Sequence, residues 1–230
     1  MADDGQLPPQ DELLREYRVS KPSLREALSI LEIEGLLTVR RGRLGGSDIR
    51  QPHASTAAYM LALVLQSKGV SLRDVGVALA QMEPACAALC AARSDRATTV
   101  VPALEAIHAE LLASSGDPLR FVAAARRFHE ALVEQCGNET LIEVVGVLEH
   151  LWSAHEHVWA ERATATGHFP VESNRKEGVR GHERILELIR EGDIDRVARA
   201  CRAHLEKTQI WALSADTGEP ISAKLLRYEK

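Results

Sequence analysis

The spacing of apolar residues changes along the chain. In residues 9–17, Leu13, Leu14 and Tyr17 fall on one side of a helix. Ser20 and Pro22 then suit the N-cap and first turn of a second helix. In it, Leu24, Ala27, Leu28 and Leu31 recur at helical spacing until Gly35 can end it. After that the period drops to two. Leu37 and Val39 alternate with polar neighbours, residues 42–46 have turn composition, and residues 47–50 suit a returning strand. Helix, turn, helix and β-hairpin, in that order, predict a small winged helix-turn-helix over residues 1–52, with Gln51-Pro52-His53 as its exit.

From Ala54 the helical period returns and no strand pattern follows. Helices are predicted over roughly 54–67, 71–94, 97–114, 117–136, 139–163, 172–191 and 193–213, each break carrying Gly, Asn, Asp or Pro. The expected fold is mainly α: the winged helix, then an all-α bundle of about seven helices over residues 53–230.

Composition narrows the function. A net charge of -5 leaves no basic surface overall, so any contact with DNA must come from a local patch. There is no run of eighteen apolar residues, and the N-terminus, MADDGQLPPQ, is acidic rather than a signal peptide. A cytoplasmic protein without a membrane span is therefore expected. Cys86, Cys90, Cys136 and Cys201 form no CxxC pair and suit small core residues.

A helix that enters the major groove needs cations and hydrogen-bonding groups on its outer face. Lys21 and Arg25 share a face of the second helix, with Ser23 near its start, and the hairpin adds Arg40, Arg41 and Arg43 beside Gly42. Cations opposite an apolar stripe are ordinarily just a solvated face. Their place in an ordered helix–turn–helix–hairpin series favours DNA.

Among nine histidines, His182 and His204 stand out. His182 lies ten residues before Gly192 and His204 eleven after Asp193. In an antiparallel helix pair both sit about 15 Å from the turn, side by side. His129, mid-helix, is a candidate third. A second group, His150, His155 and His157, suits a helix edge, and Trp152 and Trp159, seven apart, suit packing or a pocket wall.

Residues 7–52 closely resemble the winged-helix domain of GntR-type regulators of the FadR subfamily, most specifically from Val19-Ser20 to Leu28 and at Glu34-Gly35-Leu36. The resemblance implies DNA contacts from Lys21, Ser23, Arg25, Arg41 and Gly42. The family usually has Arg at Lys21, often has Arg at Asp11, and carries a helix ahead of Leu7-Pro8 that this chain starts too late to contain. Residues from about Met82 to Leu205 resemble the FCD ligand-binding domain, at Phe128-His129, Gly137-Asn138 and the run from His182 to His204-Leu205. That resemblance implies a divalent metal, Zn²⁺ or Ni²⁺, on His129, His182 and His204. The usual aspartate is replaced by Ala125, and an arginine common in the family is replaced by Leu79, which implies a less charged or more apolar effector.

The expected protein is thus a ligand-responsive regulator, not an enzyme. It would be a repressor binding a palindromic double-stranded operator as a homodimer and answering a small-molecule effector. The alternative is a metal-dependent hydrolase using the three histidines. Glu130 and Glu183, next in sequence to two of them, point about 100° away on their helices, and no HExxH, nucleophile elbow or P-loop is present.

Overall fold

The computed structural model describes residues 5–40, 46–50, 54–214 and 220–227. The chain divides into two compact units at Ala57/Ala58.

In the first unit, α1 (Gln10–Tyr17) ends on Arg18 in the left-handed region, φ 52°. Ser20 accepts from the Ser23 N–H to start α2 (Lys21–Ile33). Gly35, φ 74°, stops it in a Schellman turn: Leu36 N–H donates to Leu31 O at 2.9 Å and Gly35 N–H to Glu32 O at 3.1 Å. Strands β1 (Leu37–Arg40) and β2 (Gly46–Ile49) pair antiparallel, Leu37 facing Ile49 and Arg40 facing Gly46. Leu13, Leu24, Leu28 and Leu37 form the core. A feature the periodicity did not reveal is that residues 5–7 lie along β2, with Leu7 N–H to Ser47 O at 2.8 Å and Ile49 N–H to Gly5 O at 2.7 Å.

Beyond it run α3 (Ala54–Ser67), α4 (Leu72–Ala92), α5 (Val100–Ala113), α6 (Pro118–Glu134), α7 (Glu139–Ala165), α8 (Glu172–Glu191) and α9 (Ile194–Ser214). The turns fall where glycine adopts positive φ, as at Gly69, Gly137 and Gly192. Asp117 and Asn138 cap α6 and α7 with their side chains. The helix predicted from residue 97 begins at Val100, because Thr98 and Thr99 turn back on the Asp95 carbonyl.

Helix α4 is long and apolar enough to span a bilayer by composition, but 56% of that stretch is buried inside the bundle, where it packs on α6, α7, α8 and α9. The four cysteines are buried and free. No element was predicted after residue 213. The structure places a tail there: Ile221 N–H donates to Val70 O, Ala223 N–H to Gln66 Oε1 and Ser222 N–H to His155 Nε2, and Ile221, Ala223 and Leu226 join the core.

Candidate functional site

Lys21, Ser23 and Arg25 are all exposed on α2. Ser23 is partly committed, since its Oγ lies 2.9 Å from the capping Ser20 Oγ. Arg40 is engaged too: its guanidinium pairs with Asp48 across the hairpin at 2.8 Å. Arg41, Gly42 and Arg43, and the exit at residues 51–53, lie outside the described residues.

In the bundle, His129 comes from α6, His182 from α8 and His204 from α9. All three are buried. The Nε2 atoms of His182 and His204 each stand 3.2 Å from His129 Nε2. The three ligating nitrogens lie within 4.8 Å of one another, the one such group of His, Cys, Asp or Glu among the described residues. Tetrahedral zinc with Zn–N bonds of about 2.0–2.1 Å spaces its nitrogens about 3.3 Å apart, so the donor set fits such an ion. Burial, the largest cause for each, holds all three imidazoles well below their ordinary pKa; the next cause is Arg126 for His129, His204 for His182 and His129 for His204. They are therefore in the neutral form a metal requires.

The second histidine group does not assemble. His157 is exposed and pairs with Glu161, while His155 binds Leu151 O and the tail. Phe128 stacks on His182 with centroids 4.0 Å apart, fixing the ring plane.

Behind the histidines lies a buried charge cluster that periodicity did not reveal. Glu83 Oε1 accepts from His129 Nδ1 at 2.5 Å, which turns Nε2 toward the other two rings. Arg126 lies 3.0 Å from Glu149 and 4.0 Å from both Glu83 and Glu156. Burial raises the pKa of all three carboxyls against the pull of Arg126. Glu83 raises Glu149 further, whereas Glu149 lowers Glu83. A glutamate at residue 83, in a stretch from Val75 to Ala92 whose one other polar side chain is Gln81, was the available signal.

The histidines floor a cavity of about 630 Å³ including its mouth, walled by α5, α6, α7, α8, α9 and Phe169-Pro170. Ala125 lines it. Leu79 does not: it is fully buried in the core, so the apolar character expected from it comes from other residues.

A winged helix-turn-helix followed by a helical bundle with a polar-floored cavity is the architecture of a regulator that couples a ligand to DNA. The chain belongs to the GntR family of bacterial regulatory proteins, which matches residues 2–43, and carries an FCD domain, which matches residues 74–207. It is 27% identical over 204 residues to the transcriptional repressor NanR of Salmonella newport (strain SL254), covering 87% of this chain and 74% of that protein. It is 27% identical over 213 residues to the Uxu operon transcriptional regulator of Escherichia coli (strain K12), covering 88% and 76%. An uncharacterized helix-turn-helix transcriptional regulator of Mycobacterium tuberculosis (strain ATCC 25618 / H37Rv) is 29% identical over 157 residues, 66% of this chain and 61% of that one. Among solved structures, Streptococcus agalactiae GntR shares the fold, with a TM-score of 0.64 at 22% identity over 89% of this chain and 88% of that chain. The family and these relatives are transcriptional regulators, not enzymes, and the hydrolase alternative has no support.

Proposed function

We propose that the protein is a cytoplasmic, effector-responsive repressor that binds a palindromic operator as a homodimer. Residues 1–52 would be its DNA-binding part and residues 53–230 its effector-binding and dimerising part. The observation that carries the sensory half is the convergence of His129, His182 and His204 on the floor of a cavity. A divalent ion, zinc or nickel, would be held by these three Nε2 atoms and would supply a Lewis-acid position for an oxygen donor of the effector. Glu83 orients His129, Phe128 fixes His182, and Ala125 leaves the wall beside them open.

On DNA, Lys21, Ser23 and Arg25 would meet base edges and phosphates, with Arg40 and the hairpin residues Arg41, Gly42 and Arg43 on the flanking backbone. Similarity to NanR, named a repressor, supports the direction of control. One winged helix covers little DNA, which favours two copies on a two-fold site. Helix α3 leaves Met60, Leu63 and Val64 exposed on one side, a candidate contact between copies. Occupancy of the cavity would bias the spacing of the two DNA-reading heads.

The test is selection of bound sequences from random DNA, followed by gel shifts of the selected site with zinc-loaded and metal-stripped protein. Recovery of a two-fold symmetric site whose retention changes with metal supports the reading. Absence of any enriched sequence refutes it.

A further inference from the structure

The chain has three tryptophans and three phenylalanines, and all six belong to one site. Trp152, Trp159, Trp211, Phe121 and Phe169 line the cavity, and Phe128 stacks on His182 at its floor. They come from α6, α7, α9 and the segment between α7 and α8, so no single helix stripe accounts for them. The main core is otherwise built from Leu, Ile, Val, Ala and Cys. Trp159, Phe169 and Trp211 are half-buried where they line the cavity, and Trp159 and Phe169 lie tilted against each other with centroids 5.9 Å apart.

Two polar groups at this wall have work left to do. Gln209 is 94% buried, yet its Nε2 has no acceptor among the described residues, while its Oε1 is directed toward Gly76. An amide buried without an acceptor is costly, and a ligand oxygen would relieve it. Arg175 lies between two rings, 5.9 Å from the Phe121 centroid and 5.8 Å from that of Phe169. It donates to Ser115 O and, among the described residues, has no carboxylate within 4.0 Å. Arg126, by contrast, is ringed by Glu83, Glu149 and Glu156.

We infer that the cavity selects an aromatic carboxylic acid, its ring held among Trp159, Trp211 and Phe169, and its oxygens served by Gln209 and by the donors Arg175 keeps beyond the one given to Ser115 O. A short aliphatic acid would leave the aromatic walls wet and the flat surfaces unused. This inference rests on the cavity being the effector site, and it adds the chemical class of the effector.

Calorimetric titration of the zinc-loaded full chain with naphthoate, cyclohexanecarboxylate, lactate and naphthalenemethanol tests it. Naphthoate is expected to bind at least tenfold more tightly than each of the other three. Trp159→Leu should remove the advantage over cyclohexanecarboxylate, and Arg175→Gln the advantage over the alcohol. Both variants should keep the zinc content and melting temperature of the parent. Lactate or cyclohexanecarboxylate binding as tightly as naphthoate overturns the aromatic class and leaves the effector cavity standing. Equal binding of the alcohol overturns the acid. No heat from any of the four, in protein that holds zinc, overturns the inference and the effector reading together.

Discussion

Gly181 lies so close to His204 that a Cβ at this glycine would stand 2.0 Å from the imidazole Nδ1. The ring of one metal-ligand candidate is therefore seated against bare backbone of α8, next to His182 on the same helix. Alanine at a neutral helical position usually gains about 1 kcal/mol over glycine. Gly181→Ala should do the reverse: lower the melting temperature and cut zinc affinity at least tenfold by turning His204 away. Zinc competition against a chromophoric chelator, together with thermal melts, checks both effects. A more stable variant with unchanged zinc affinity would contradict the geometry.

Glu83→Gln should weaken zinc binding by about 10–100-fold, the usual effect of losing an outer partner of a metal-bound histidine. Glutamine accepts a hydrogen bond but cannot offset charge on the His129 ring. His129→Ala should abolish binding, and His157→Ala, in the exposed pair with Glu161, should leave it unchanged. Elemental analysis of the purified variants gives the order.

Metal uptake should release few protons even in mild acid. Imidazoles with an ordinary pKa of 6.5 would each be about three-quarters protonated at pH 6, and three of them would shed more than two protons on binding zinc. Burial lowers all three here, so the neutral form already prevails at that pH. Fewer than one proton per zinc is expected at pH 6, measured calorimetrically in buffers of differing ionisation enthalpy. Release of two or more would show the rings to be solvated.

On DNA, Arg25→Ala should cost about 1–3 kcal/mol on a selected operator and flatten discrimination between bases. Asp48→Asn should act the other way. It frees Arg40 from its partner and removes a negative charge facing phosphate, so affinity rises on all sequences and the salt slope steepens by about one phosphate. Anisotropy titrations across a potassium chloride series separate the two effects.

If α3 forms the contact between copies, Leu63→Asp with Val64→Asp should yield monomers in sedimentation at micromolar protein, with the helical content intact. Parent-like dimers would place the contact elsewhere.

Much of this architecture was legible because local signals agreed. The Ser20 cap, the Gly35 stop and the change to period two mark the winged helix from residue order alone. The facing of His182 and His204 followed from nearly equal distances to the Gly192 turn, and Gly192 does take the left-handed conformation, φ 76°. What escaped is long-range. Glu83 meets His129 from 46 residues away, and the aromatic wall gathers rings from several helices. Arg40 resembled a free cation because its partner Asp48 sits across a turn. Leu79, one substitution in a family pattern, pointed to a lining residue but belongs to the core, since its helix presents that face to its neighbours.

The tail after α9 also bears on how this protein can be handled. With Ile221, Ala223 and Leu226 inserted among core side chains and Ser222 anchored on His155, the last described residues act as a clasp over the turn between α3 and α4. Trimming the chain at the end of α9 would leave a greasy trench and two unserved acceptors, the Val70 carbonyl and the Gln66 side-chain amide oxygen. Cleavage sites, reporter fusions and shortened expression forms therefore belong beyond residue 227, never before 220.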